Sequence, residues 1–120
     1  VNKVDKKVKM SKDEVIKYQI LTYCFLNNLL ISNSDLNCLC ELAKEGEVEL
    51  TSFCSLISDK KIFKSSQSCR NALAKAEKKN LIIKKGSNKK TIVINPDMNI
   101  QTEGTILLDS KILGVETKES

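Results

Sequence analysis

A chain of 120 residues, 41% of them hydrophobic and 29% charged, has room for one domain with a small core. Histidine is absent, which removes most acid–base and triad arrangements, so no enzymatic activity is expected. The net charge is +5, and the longest apolar run, 20–31, falls well short of the roughly twenty residues that cross a bilayer, so the chain reads as one without a membrane segment.

Residues 1–10 form a basic N-terminal arm without periodicity. Its Lys3, Lys6, Lys7 and Lys9, with Lys12 just beyond, are of the kind that follows a phosphate backbone; a solvated tail is the plainer reading. Nothing in this opening resembles a secretory leader. Ser11 followed by Glu14 is a capping-box signature that opens a helix expected over 11–31. The second half of that helix is apolar on nearly every side, which suits a central core position or contact with a protein partner or second copy. Asn33 or Ser34 is expected to cap a second helix, with Leu36, Leu39, Cys40 and Ala43 on one face and Gly46 as its stop. A third begins near Leu50, with Leu50, Phe53, Cys54 and Ile57 at helical spacing.

The five cysteines read as reduced, mostly buried thiols of an intracellular, cytoplasmic protein. Cys38 and Cys40 are the closest pair, but on a helix they point about 200° apart and cannot chelate one ion. There is no C-x-x-C, no histidine and no glycine-rich phosphate loop. The expectation is therefore no metal, no cofactor and no small-molecule substrate.

Residues 61–90 hold ten of the twenty basic residues and a single acid, Glu77, leaving nine net positive charges. Such runs are usually solvated surface, but this one is patterned. Residues 65–80 read as a helix whose buried stripe is Cys69, Ala72, Leu73 and Ala76. Its opposite side is centred on Gln67, Asn71, Ala74 and Lys78, flanked by Arg70 and Lys75. Gln and Asn can pair bidentately with adenine and Arg with guanine. Ser65 is the expected cap, leaving free N–H groups near Lys64, Ser66 and Ser68 where a phosphate can dock. Residues 81–83 read as a strand and 84–90 as a turn carrying Lys84, Lys85, Asn88, Lys89 and Lys90. Residues 91–94 read as the return strand, ended by Pro96. The run 105–108 is a candidate further strand, and the tail from Ile112 is weakly patterned.

This order of helix, turn, basic helix and hairpin resembles the winged helix-turn-helix superfamily. The stretch from Ser65 through Arg70, Asn71, Leu73 and Asn80 to Leu81 and Ile82 looks like its recognition helix running into the wing. Asn80 stands where a glycine often supplies the left-handed conformation. The resemblance implies a mostly α fold with a small β hairpin, its helices followed by a two- or three-stranded wing. Residues 11–95 would be the domain, between the arm at 1–10 and a C-terminal extension at 96–120. It also implies that Gln67, Asn71 and Lys78 enter a major groove while Lys84, Lys85, Lys89 and Lys90 meet phosphates.

The function expected is therefore non-catalytic binding of nucleic acid, duplex DNA above all, as a transcription regulator, a replication or partition factor or a packaging protein. The alternative is a structural or adaptor subunit of a larger assembly such as a phage-like virion. In that case the winged helix docks protein.

Overall fold

Ser11 and Glu14 close the expected capping box. The Glu14 N–H donates to Ser11 Oγ at 3.2 Å, and the Ser11 N–H donates to Glu14 Oε1 at 2.9 Å. These bonds open α1 (Lys12–Leu26), the first helix of a computed structural model that describes residues 7–103 and 107–109, the segments 7–9 and 107–109 by backbone alone. In chain order the elements are β1 (Lys7–Lys9), α1, α2 (Asn33–Glu45), β2 (Val48–Glu49), α3 (Leu50–Asp59), α4 (Ser66–Lys78), β3 (Ile82–Lys85), β4 (Thr91–Ile94), a 3₁₀ turn (Pro96–Met98) and β5 (Leu107–Asp109).

The first helix stops five residues before the expected end at 31. Asn27 and Asn28 are the reason. Asn28 takes the left-handed conformation, its N–H donates to Phe25 O, and the Leu29 N–H donates to Cys24 O, which together make a Schellman stop. Asn27 also returns its side-chain amide to Tyr23 O at 2.8 Å. The cap of α2 is Ser32 rather than Asn33 or Ser34. Ser32 is extended and its Oγ accepts the Asp35 N–H, whereas Asn33 and Ser34 already lie inside the helix. Gly46 ends α2 as expected, at φ +77°, a conformation that side chains disfavour although nothing lies within 4 Å of where a Cβ would sit.

The sheet has the order β2-β4-β3, all antiparallel, with β4 in the centre. Strand β2 was not anticipated. Val48 and Glu49 pair with Ile92 and Thr91, and Glu49 then caps α3 by accepting the Ser52 N–H. The hairpin is also longer than expected: Lys84 and Lys85 lie in β3, opposite Ile92 and Thr91, and the loop is only 86–90. Pro96 ends the return strand as read from the sequence and opens the 3₁₀ turn. β1 pairs antiparallel with β5, so Lys7 and Lys9 belong to a strand rather than a free arm. Lys3 and Lys6 of the expected arm, and the tail from Ile112, lie outside the described residues.

One cluster forms the core. Ile16 and Ile20 of α1, Leu39 and Leu42 of α2, Phe53 and Ile57 of α3, Leu73 of α4, and Leu81, Ile82 and Ile92 of the sheet are all essentially closed to water. Cutting such a side chain to alanine typically costs about 2–5 kcal/mol, against at most about 1 kcal/mol for an exposed ion pair, so the core holds the fold and the surface pairs trim it.

All five cysteines are buried and free. Burial pushes the Cys54 thiol up from an ordinary value of 9.0 to about 12, helped by its hydrogen bond with Cys69. Cys69 is raised by its hydrogen bond with Cys38 and then by burial, and Cys24 and Cys40 are raised mainly by burial. An acid with a raised folded-state pKa keeps its full stabilising effect below the unfolded value and loses it as pH climbs. The thiols' contribution to stability is therefore expected to be intact below about pH 9 and to be lost from there toward pH 12, as alkaline unfolding followed by circular dichroism would show. At about pH 8 a thiol-reactive disulfide reagent should leave the native protein untouched while the denatured chain reacts at five sites.

Candidate nucleic-acid interface

The helix-turn-helix consists of α3, a turn over 60–65 and α4. Its turn begins with another Schellman stop. Lys61 is left-handed at φ +58°, its N–H donates to Ser58 O, and the Ile62 N–H donates to Ile57 O. Ile62 and Phe63 fold back against the core while Lys64 stays exposed. Ser65 caps α4 as expected. Its Oγ accepts the Ser68 N–H at 3.1 Å, which leaves the N–H groups of Ser66 and Gln67 at the open start of the helix. The helix ends with the same motif, Asn80 left-handed at φ +62° and the Leu81 N–H on Ala76 O.

Cys69, Ala72, Leu73 and Ala76 are the buried stripe of α4, as the periodicity predicts. Gln67, Asn71, Ala74 and Lys78 are exposed on the other side. Gln67 Nε2 donates to Asn71 Oδ1 at 2.9 Å. One amide oxygen (Gln67 Oε1) and one amide nitrogen (Asn71 Nδ2) of that pair remain free to bond outward. Ala74, with no more than a methyl group, leaves the ridge between Asn71 and Lys78 low.

The basic residues divide into two groups. Lys75 pairs with Asp35 of α2 at 3.6 Å, Lys84 with Glu77 of α4 at 3.5 Å and Lys85 with Glu47 at 2.6 Å. Arg70 is half-buried and donates to Thr51 Oγ1 at 3.0 Å, and Lys79 donates to Leu30 O at 2.8 Å. By contrast Lys61, Lys64, Lys78, Lys89 and Lys90 are exposed and have no carboxylate within pairing distance among the described residues. Of the four wing lysines grouped together in the sequence, two anchor the strand and two stand on the loop. Asn88 does not face outward freely either: its Oδ1 accepts the Lys90 N–H at 3.2 Å and shapes the tip. Gly86, at φ +90°, starts that tip.

Both basic elements converge on the start of α3. The Leu50 N–H donates to Lys90 O at 2.7 Å, and Arg70 reaches Thr51 on the next residue. The base of the wing tip and the first half of α4 thus share one anchor. Sequence reasoning missed Thr51, Lys61 and the three counter-ions Asp35, Glu47 and Glu77. Their roles depend on distant segments meeting, and no local pattern announces them.

No family model matches this chain, and no curated protein matches it. A solved structure does: a zinc uptake regulator complexed with zinc and DNA superposes with a TM-score of 0.61 at 13% sequence identity, covering 89% of this chain and 77% of that one. The fold is a winged helix. The likeness at this identity carries the architecture alone. This chain has no histidine, and among the described residues no three Cys, Asp or Glu side chains are grouped to hold an ion.

Lys61 supplies a test of the turn. A non-glycine residue in the left-handed region costs about 1–2 kcal/mol, and glycine returns part of that as chain entropy. Lys61→Gly should raise stability by about 0.5–1 kcal/mol in urea unfolding, whereas a turn built differently would lose stability on that change.

Proposed function

We propose that this chain binds duplex DNA without catalysing a reaction, with α4 in the major groove and the tip of the wing on the adjacent phosphates. The observation that carries the reading is the common anchor at Leu50 and Thr51. It holds an exposed amide-and-lysine face beside a loop bearing two unpaired lysines. The Gln67–Asn71 pair offers one acceptor and one donor, the complement of the adenine N6 and N7 edge. Lys78, Lys64 and the helix start at Ser66 would meet the backbone. With one arginine, itself tied to Thr51, the protein would lean on phosphate contacts more than on guanine readout. A regulator, a replication or partition factor and a packaging protein all fit this chemistry, as does a cytoplasmic location.

The zinc uptake regulator of similar fold is complexed with DNA, which supports the same direction without assigning a target. The second reading, an adaptor subunit of a larger assembly such as a phage-like virion, draws on the apolar outer face of α1 and the segment after it, where Phe25 and Leu30 are 80% and 87% exposed.

Salt dependence separates the two. Binding to an arbitrary AT-rich duplex should weaken linearly in log–log form as salt rises, with a slope of about 0.9 per phosphate contact. Changing Lys89 and Lys90 to Ala should reduce that slope by about 2, while changing the internally paired Lys84 and Lys85 should reduce it by less than about 1. Equal effects of the two double variants would contradict the division of the lysines. No binding at low salt would favour the adaptor.

A further inference from the structure

The helix α1 has two apolar faces. Val15, Ile16, Ile20 and Cys24 are in the core. Tyr18, Leu21, Phe25 and Leu26, at helical spacing on the other side, remain 45–80% exposed, and Leu30 just beyond is 87% exposed. Together these five leave on the order of 600 Å² of side chain in water, near the upper end of patches on monomers and approaching the roughly 800 Å² per partner of a stable interface.

Two polar side chains within this patch bond back to their own helix. Thr22 Oγ1 donates to Tyr18 O at 2.8 Å, and the Asn27 amide donates to Tyr23 O at 2.8 Å. Desolvating the patch would therefore orphan neither the Thr22 hydroxyl hydrogen nor the bonded Asn27 amide hydrogen, and the Tyr18 hydroxyl, on a half-exposed side chain, can stay at the wet rim. No charged residue occurs from Tyr18 through Ser34, in a chain that is 29% charged. The one cation at its edge is Lys79, whose ammonium is held on Leu30 O at 2.8 Å, so the apolar side chains themselves can face their own copy in a two-fold, self-complementary contact with little like-charge repulsion. A different partner would ordinarily be selected by complementary charge, of which this patch offers little.

We propose that the outer face of α1, with Leu30, is the seam of a homodimer, the occupant being the same face of a second copy of this chain. The seam adjoins the C-terminal end of α4, where Lys79 donates to Leu30 O, and so leaves the helix start at Ser65 and the face around Gln67 and Asn71 uncovered. It rests on the proposed function only for its use: two copies would present two recognition helices to two half-sites.

The test is sedimentation equilibrium of the full chain without nucleic acid, at roughly 50 µM, far above a micromolar dissociation constant. Wild type should show twice the 13.4 kDa chain mass, and the Phe25→Glu, Leu30→Glu variant should show the single mass with an unchanged far-ultraviolet circular dichroism spectrum. Both side chains lie outside the core, so the variant is expected to fold. A monomeric wild type at this concentration overturns the proposal, as does a dimer that survives both substitutions. If the double variant loses its spectrum, the milder Leu30→Asn, tested alone, must shift the monomer–dimer equilibrium at least tenfold toward monomer, and an unshifted equilibrium overturns the proposal equally. Because no DNA is present, this outcome is separate from that of the salt titration.

Discussion

The rotation of α4 about its own axis is the constraint on which the interface depends. Only one stripe of this helix can be buried: Cys69, Ala72, Leu73 and Ala76. Three of the four are small, which lets the helix lie close to its neighbours, and Leu73 is the one large plug. Turning the helix by one residue, about 100°, would drive Arg70 or Lys75 toward the core, and an uncompensated buried charge costs several kcal/mol. The outward position of Gln67, Asn71 and Lys78 therefore follows from packing on the other side. The face needs no stabilising contacts of its own and is available for a ligand.

Charge then divides along lines that composition alone does not draw. Asp35, Glu47 and Glu77 each hold one lysine of the basic segment. Such exposed pairs contribute little to stability, about 0–1 kcal/mol each. Their consequence is positional. Lys84 is held to α4 and Lys85 to the bend before β2, so the cations left on the wing belong to the 86–90 loop. A nine-charge segment thus presents far fewer unpaired charges than its sequence suggests, and those are concentrated at the turn, the end of α4 and the wing tip.

Much of this was legible in the sequence because it is local. The capping box at Ser11 and Glu14, the stop at Gly46, the stripe of α4, the Ser65 cap, the left-handed Asn80 and the break at Pro96 each follow from a residue and its near neighbours. The winged-helix order followed from stringing them together. What the sequence hid was tertiary. An apolar run continuing to Ile31 masked the stop at Asn27 and Asn28, because Leu29 and Ile31 are apolar for packing on the core after the helix has ended. The two residues of β2 are too few to show alternation and exist because β4 offers an edge. Lys84 and Lys85 looked like turn residues because lysine-rich runs usually are, and only their backbone pairing with Ile92 and Thr91 makes them strand. The two-faced character of α1 was visible, but which face the core would take was not.

The central claim is that the outward side of α4 and the 86–90 loop act as one surface toward a duplex. Titrating isotopically labelled protein with a short AT-rich duplex and following backbone amide shifts tests this most directly. The account predicts the largest shifts at Ser66, Gln67, Asn71, Ala74 and Lys78 together with 86–90, and small ones along Tyr18 to Leu30. Shifts centred on the outer face of α1, or confined to the wing with α4 silent, would contradict it.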